Sequence, residues 1–473
     1  MGRFIDREQE LVTLNRLLEQ PGAQFLVVYG RRRVGKTTLL LKWAQDSGRP
    51  FVYWVASRDT PDRLRWSLAR ALWRYFRPDR TPPTFEHWEV LFENLADELG
   101  DQQLVLILDE LPYAAEADPA LTSKLQNAWD HLFKDKNLCL VVAGSQIGMM
   151  HRLQSYSAPL FGRFTARLQL KPLPFYALRE FLPRYSLEQR IAVYAILGGI
   201  PAYLERFDDS QSIAANVQRE IFDPSGMFGM EPFFLLNEEV REPRNFVAVI
   251  RAIAQGQRTL DEIAGFTGLA RQNASTYLSR LRDLHYVERA VPATLRPERR
   301  TTRGRYKLRD NYLRFYFRFV EPNRDLLETG QVGRVWEQVN DQMRAFVGMT
   351  AFEDLCRQWV IEQAIQGRLP FLPDRVGSHW SRDAQVDVVA IRWEQKHILL
   401  GEAKWGTDPV SRSVLTDLLG KTSKVVPEGG AGWTVHHALF ARAGFTEATQ
   451  SLAGERGVRL VDLAELGRGL GTE

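Results

Sequence analysis

Cysteine is almost missing from this sequence: Cys139 and Cys356 are the two among 473 residues, each in an apolar or helical context. Two thiols so placed exclude a disulfide framework and a cysteine-ligated zinc site, and they fit a reducing compartment such as the cytoplasm. Long apolar runs are missing too. None approaches the roughly 18 residues that span a bilayer, and the N-terminus lacks the charged-then-apolar pattern of a signal peptide, so no membrane partner is expected. Nor is there a strong excess of one charge: 62 Lys and Arg against 58 Asp and Glu leave +4. That balance is too small to argue for nucleic-acid binding, which must rest on local arginine clusters instead. What remains, 44% hydrophobic and 25% charged, is a soluble globular composition. The length suggests about two to four domains.

The strongest pattern lies near the start. In "AQFLVVYGRRRVGKTTLLLKWA" an apolar run from Phe25 to Tyr29 reads as a buried strand, Gly30-x4-Gly35-Lys36-Thr37 follows, and a helical apolar pattern begins at once. This is a phosphate loop in its required strand–loop–helix setting. Glycines let the backbone wrap phosphates, and amides at the helix N-terminus add partial positive charge. Gly30, Arg31, Arg32, Arg33, Val34, Gly35, Lys36, Thr37 and Thr38 are therefore expected to hold ATP. Lys36 would reach the β- and γ-phosphates, and the Thr37 hydroxyl would hold Mg²⁺. The three arginines are equally consistent with solvent-facing positions.

"QLVLILDELPYAAE" supplies a partner. Leu104 to Leu108 is an unbroken apolar strand of the kind found in parallel sheets covered on both faces, and Asp109 and Glu110 stand at its C-terminal end, where open α/β sheets place ligands. Asp109 is expected on Mg²⁺ or its water, and Glu110 as the residue that orients and deprotonates the attacking water. A third buried strand, "LCLVVAGSQ", ends at Ser145 and Gln146; Ser145 reads either as a sensor of the γ-phosphate or as a hydroxyl capping a turn. In "APLFGRFTARLQLKPL", Arg163 is the candidate arginine finger, acting in cis or on a neighbouring subunit, with Arg167 second and a plain surface arginine the alternative.

Together, "FIDREQELVTLNRLL", "GRRRVGKTT", "LILDE", "AGSQIGMM" followed by "PLFGR", and "LGGIPAYLERF" resemble the archaeal-type P-loop ATPases of the AAA+/STAND group, over about the first half of the chain. The resemblance implies a P-loop parallel-sheet core over 1–172 and a helical lid over 173–243 carrying Gly198-Gly199-Ile200-Pro201. It also places the segment from Phe4 to Glu8 near the adenine, with Arg7 at base or sugar. Where two small polar residues are usual after the third strand, Ser145 and Gln146 stand here.

Farther on, "RTLDEIAGFTGLARQNASTYLSRLRDLHYVERAVPA" opens with Thr259-x-x-Glu262, a capping box, and turns at "FTGL" into a second amphipathic helix with Leu278, Leu281 and Leu284 on one face. "YVERAVP" and "RYKLRD" read as a hairpin whose loop carries Arg296, Arg299, Arg300, Arg303 and Arg305. The expectation is a winged helix over 244–310 that offers Arg271, Gln272, Asn273, Thr276 and Arg280 to phosphates and base edges. A winged helix used only for packing or protein contacts is the alternative. The aromatic, arginine-rich stretch over 311–344 follows helical spacing at Tyr312, Phe315 and Phe319, which favours packed linker helices over base stacking.

In the final segment, "QVDVVAI" and "KHILLGEAKW" read as an antiparallel pair. Glu402 and Lys404, two apart, share one face of their strand, and Asp387 can reach it from the neighbour. Glu353, on the preceding helix, offers a third carboxylate. Carboxylate oxygens suit Mg²⁺ or Mn²⁺, and a lysine there can position the attacking water. Unscreened, such carboxylates would raise one another's pKa. Glu353, Asp387 and Glu402-Ala403-Lys404 resemble the PD-(D/E)XK nuclease superfamily, with Val386 where a proline often stands. That resemblance implies an α/β restriction-endonuclease-like domain over 345–473, with Glu353, Asp387 and Glu402 as metal ligands and Lys404 as a catalytic group. The expected whole is an ATP-hydrolysing protein that binds DNA and cleaves it with Mg²⁺, with homo-oligomers implied if Arg163 acts in trans. The alternative is a non-cutting nucleotide switch working through protein partners.

Overall fold

The computed structural model describes residues 4–240, 242–296, 301 and 303–472. The chain divides into two compact units. One holds residues 1–173 with 200–202 and 238–241; the other holds 174–199, 203–237 and 242–473. The helical lid, the helix–hairpin segment, the linker helices and the C-terminal domain expected from the sequence thus fall, apart from those two short pieces, in the second unit.

The first unit is built on five parallel strands, β1 (Gln24–Tyr29), β2 (Phe51–Val55), β3 (Leu104–Asp109), β4 (Leu138–Gly144) and β5 (Ala166–Gln169), ordered β2-β3-β4-β1-β5. Alternate side chains of a strand leave opposite faces of the sheet. Phe25 and Val27 accordingly enter one apolar cluster, with Trp54, Leu106 and Leu140, while Leu26 and Val28 enter another, with Val105, Ile107 and Val141. Both faces are covered, which is why these strands read as unbroken apolar runs. Complete burial of each such side chain is worth about 1.5–3 kcal/mol. The buried Cys139 sits in the second cluster, its thiol pKa pushed up to about 12 by burial.

In the second unit, the helix Leu187–Leu197 opens with a capping box between Ser186 and Gln189. Tyr203, Phe228 and Tyr312 form a ring cluster with centroids 5.0–5.5 Å apart, and the Tyr312 hydroxyl donates to Phe228 O at 2.7 Å. These contacts join the lid and linker segments. The linker aromatics Tyr312, Phe315, Tyr316, Phe317 and Phe319 are all buried, so they are core and not a stacking platform for bases. The helices Arg244–Ala254, Leu260–Thr267 and Arg271–Asp283 follow, the second opened by the capping box of Thr259 and Glu262, and then the antiparallel hairpin β6 (Val287–Ala290) and β7 (Arg305–Leu308). A five-stranded mixed sheet closes the chain: β8 (Arg375–Trp380), β9 (Gln385–Arg392), β10 (His397–Lys404), β11 (Thr434–Ala441) and β12 (Arg459–Val461), ordered β12-β11-β10-β9-β8. β9 is antiparallel to both its neighbours, β8 and β10; β10, β11 and β12 are parallel. The helix Glu353–Ile365 packs on this sheet through Trp359, whose ring meets Phe440 at 5.5 Å, and buries Cys356 completely.

Gly30 illustrates how tightly the phosphate loop is seated: a Cβ there would lie 2.3 Å from Leu170 O, a backbone atom that cannot swing aside. Gly30→Ala is therefore expected to destabilise the first unit by about 1–3 kcal/mol, as overpacking does. A thermal scan without nucleotide should show its transition falling by ~2–4 °C per kcal/mol; an unchanged transition would contradict the close approach.

Candidate functional site

The phosphate loop leaves β1 at Gly30 and enters the helix Lys36–Asp46 through Gly35, whose φ of +94° suits glycine. Val34 is fully buried beneath the loop, whereas Arg32, Thr37 and Thr38 are exposed and Arg31 and Arg33 partly so. Lys36 is buried, and its Nζ donates to Gly30 O (2.9 Å) and Arg31 O (3.2 Å). Burial lowers its pKa, against the opposing pull of Glu110, Asp109 and Glu238. Asp109, 1% exposed at the end of β3, accepts from the Thr37 hydroxyl at 2.7 Å, the Tyr53 hydroxyl at 2.8 Å and Glu110 N at 2.9 Å. Tyr53 was not anticipated. Its strand, "FVYWV", reads only as apolar, and nothing local marks its hydroxyl for the neighbouring strand's end. Arg7, expected near the nucleotide base, spends its guanidinium on Val34 O (3.1 Å), Lys171 O (2.7 Å) and Glu10 (2.8 Å). It braces the loop.

Glu110 adopts a left-handed backbone, φ +51°, and its carboxylate accepts from both Ser145 N (3.0 Å) and Ser145 Oγ (2.9 Å). Asp109, Glu110 and Ser145 are therefore brought together on adjacent strand ends. Gln146 is buried beside them. Arg163 stands apart, its Nη2 3.0 Å from Asp130 Oδ2, and Arg167 is exposed. Two further acids were unforeseen, one at the loop and one at the start of the helix Ile147–Leu153. Glu238 pairs with Arg32 at 2.6 Å, and Glu239 accepts from Ile147 N (2.7 Å) and Gly148 N (3.0 Å). A signal for them did exist: an acidic pair ending the helix Met227–Glu239 opposes that helix's dipole, so its carboxylates must be held by something else. Burial raises the Glu238 pKa.

The C-terminal carboxylates meet where β9 and β10 begin to part. Gly401 pairs with Val388, so Glu402 and Asp387 come next on their strands, and Ala403 N donates to Asp387 Oδ2 at 3.2 Å. Both carboxylates are buried. Burial, then the Glu402 charge, raises the Asp387 pKa. Burial acts on Glu402 in the same direction but is outweighed by two lysines: Lys404 Nζ on Oε2 and Lys421 Nζ on Oε1, each at 2.8 Å, hold it below its ordinary value. Glu353 lies close enough to feel Asp387. Burial and that charge push its pKa up to about 7, against the pull of Arg357 at 3.5 Å. Among the described residues no group of three or more His, Cys, Asp or Glu stands together so as to hold a metal ion. Of the expected metal-ligand triple, Glu402 is paired with Lys404 and Lys421 and Glu353 with Arg357, while Asp387 accepts from the Ala403 amide. Lys421 lies beyond the strand pair, at the end of the helix Arg412–Gly420, where no local spacing points to Glu402. Asp354, which pairs with Arg357, Lys307 and Arg314, was likewise not anticipated.

The helix Arg271–Asp283 exposes Arg271, Gln272, Asn273 and Thr276, with Arg280 half-buried; Arg271 pairs with Asp261 at 2.6 Å. The described ends of the arginine-bearing hairpin loop rest on the C-terminal sheet. Ala293 N donates to Ser378 O of β8 at 2.9 Å, Arg296 lies over the Trp393 ring at 5.0 Å, and Arg305 over Trp380 at 4.9 Å. Cation–π attraction and a backbone bond thus seat both ends of the loop on the C-terminal sheet. Arg299 and Arg300 lie outside the described residues.

An ATPase domain family described as predominantly archaeal matches residues 4–207, and a family of archaeal and bacterial proteins of unknown function matches residues 316–414. An uncharacterized protein of Methanocaldococcus jannaschii is 32% identical over 429 residues, covering 89% of this chain and 92% of its own length. An uncharacterized ATP-binding protein of the same organism is 42% identical over 43 residues, 9% of this chain and 73% of its own. The solved structure of a Walker-type ATPase of Pyrococcus abyssi has a TM-score of 0.51 at 21% identity, covering 67% of this chain and 96% of its own, a likeness of fold. No helix among the described residues is long and apolar enough to cross a membrane.

Because Glu402 is buried and held by two lysines, removing one should be felt. Lys421→Met is expected to destabilise the second unit by about 1–3 kcal/mol, less than the ~3–5 kcal/mol of breaking a fully buried pair because Lys421 is partly solvated and Lys404 remains. Adding Glu402→Gln should recover part of that loss. Urea midpoints of the two single variants and the double variant measure the coupling; additive losses would show that the pair carries no energy.

Proposed function

We propose, starting from the fact that this chain belongs to the same family as the methanogen protein and carries an archaeal-type ATPase domain, that it binds and hydrolyses ATP and couples this to binding and cleaving DNA. The observation that carries the ATPase half is the Thr37–Asp109 hydrogen bond of 2.7 Å at the mouth of the phosphate loop. It puts a hydroxyl and a carboxylate, hard oxygen donors suited to Mg²⁺, beside a buried lysine and a helix N-terminus. Bound there, Mg²⁺ would be held by Thr37 and Asp109 and would screen the phosphate charge. Lys36 would exchange its carbonyl partners for the β- and γ-phosphates. Glu110, steadied by Ser145, would orient the attacking water and take its proton.

For the C-terminal half, the support is the meeting of Asp387, Glu402 and Lys404 at the ends of two paired strands. Mg²⁺ commonly takes one or two carboxylates and keeps its waters, so Asp387 and Glu402 suffice as protein donors, and Mn²⁺ would suit the same oxygens. Lys404 would position a water whose oxygen joins phosphorus while the sugar oxygen leaves with a proton. The helices over 244–283 with their hairpin act in this reading as a winged helix that presents Gln272, Asn273 and Thr276 to DNA. One observation favours a second reading. Glu402 is already neutralised by Lys404 and Lys421, and Glu353 faces Arg357, which suits a retired site in a nucleotide switch acting through a protein partner.

Incubation with labelled single-stranded, duplex and forked DNA, with Mg²⁺ or Mn²⁺ and with or without ATP, separates the two. Glu402→Ala is expected to lower cleavage at least about a hundredfold, the scale of losing a positioned catalytic group, and to spare ATP hydrolysis. Lys36→Ala should abolish ATP turnover. Absence of cutting by the wild type in every condition would leave the switch reading standing. An in-trans role for Arg163, released from Asp130, would make the protein a homo-oligomer; its specific ATPase rate should then rise with protein concentration, and Arg163→Ala should flatten that rise. A rate independent of concentration in the wild type would remove the role.

A further inference from the structure

The second unit contains a cavity of about 290 Å³ that lies between the helix–hairpin segment and the C-terminal sheet. Among its charged lining residues cations outnumber anions: Arg258, Arg305, Lys307, Arg314, Arg318 and Arg357 face three carboxylates, Glu353, Asp354 and Asp387. Asp354 compensates three of the cations at once, Lys307 at 3.4 Å, Arg314 at 3.8 Å and Arg357 at 2.5 Å. Arg258 and Arg305 are not neutralised in this way. Arg258 repels Arg305, and burial together with that charge holds the Arg305 pKa below its ordinary value against the pull of Glu262. The Arg305 guanidinium carbon lies 4.9 Å from the centre of the Trp380 ring, a cation–π contact that holds the cation at the cavity wall.

His379 adds a second, independent observation. It lines the same cavity, is 7% exposed, and bonds Thr294 Oγ1 through Nδ1 at 2.7 Å, while its Nε2 is buried without a hydrogen-bond partner. A buried polar atom left unsatisfied costs about 1–3 kcal/mol, so its position calls for a ligand. Burial lowers the imidazole pKa, so the ring is neutral and can offer one N–H or one lone pair to a base edge. Size narrows the occupant further. The volume is at the lower bound of small-ligand sites, about 300–1,000 Å³, which admits one nucleotide unit and excludes a duplex.

We propose that this cavity takes one unpaired nucleotide of a nucleic-acid strand, its phosphate on Arg258 and Arg305 and its base edge at His379 Nε2. Glu353 and Asp387 line the same space, so a strand seated there runs directly to the carboxylate cluster; the consequence, action at strand ends or flaps and not within duplex, rests on the phosphodiester reading of that cluster.

The test measures binding of the full-length protein, in EDTA, to fluorescent dT10, a blunt 10-base-pair duplex and the same duplex with a short flap, with unlabelled dTMP as competitor. The dT10 and flap probes should bind at least tenfold more tightly than the blunt duplex. Arg258→Glu, at an exposed position, and His379→Phe, which leaves the net charge unchanged, should each erase that preference while ATP hydrolysis stays as in wild type. Equal affinity for all three probes, or a preference that survives both variants, overturns the proposal. Competition by dTMP as effective as by unlabelled dT10 overturns it too, in favour of a free-nucleotide site. Cleavage in Mg²⁺ is scored separately. No cutting with the single-strand preference intact overturns only the phosphodiester reading, whereas cutting of blunt duplex with no preference in EDTA overturns only the cavity assignment.

Discussion

A single carboxylate with almost no access to water organises the first unit. Asp109 is costly to bury charged, and three donors offset that cost: a hydroxyl from the helix after the phosphate loop, a phenol from the adjacent strand, and the amide of the next residue. Because these donors come from separate segments, the carboxylate fixes the loop, β2 and β3 against one another. The left-handed Glu110 that follows is then aimed at the end of β4, where Ser145 receives it. The order of the strands places this cluster at their C-terminal ends, and the closeness of Gly30 to Leu170 keeps the loop there.

The C-terminal cluster meets the same problem, buried negative charge, with a different solution. Asp387 and Glu402 lie side by side, and the charge is balanced by Lys404 and Lys421 around Glu402, by Arg357 near Glu353, and by a backbone amide on Asp387. Lysines are mobile point charges on long stems. A cluster neutralised by them can exchange one cation for another without unfolding, which a cluster closed by arginine forks would resist. The same balance extends into the neighbouring cavity, where Asp354 satisfies three cations and Arg305 is left between the charges of Arg258 and Glu262.

Much of this was legible in the chain, and the limits are physical. The strands of the first sheet could be read because both faces are covered, so every position from Phe25 to Val28 and from Leu104 to Leu108 is apolar. The phosphate loop could be read because its glycines and lysine are local. So could the capping box at Thr259, the buried linker aromatics, and the approach of Asp387 to Glu402 across a short hairpin. Contacts that depend on distant segments could not. Tyr53, Lys421 and Asp354 carry no mark in their own windows, and the seating of Arg296 and Arg305 on tryptophans cannot be foreseen from an arginine-rich loop that reads as a basic wing. Glu238 and Glu239 fall between these cases, since an acidic pair at a helix C-terminus is anomalous but does not name its partners.

The two cysteines acquire a practical meaning from their surroundings. Cys139 lies inside the first sheet with its thiol pushed up to about 12, and Cys356 is sealed beneath the last one. Neither offers a thiolate to reagents in solution at neutral pH. A cysteine introduced at an exposed position would therefore be the sole rapidly reacting thiol, and the native pair need not be removed first. The chain is in this sense already prepared for site-directed spin or fluorophore labels, one in each unit, with which the distance between the nucleotide loop and the carboxylate cluster can be followed as ATP is added and turned over.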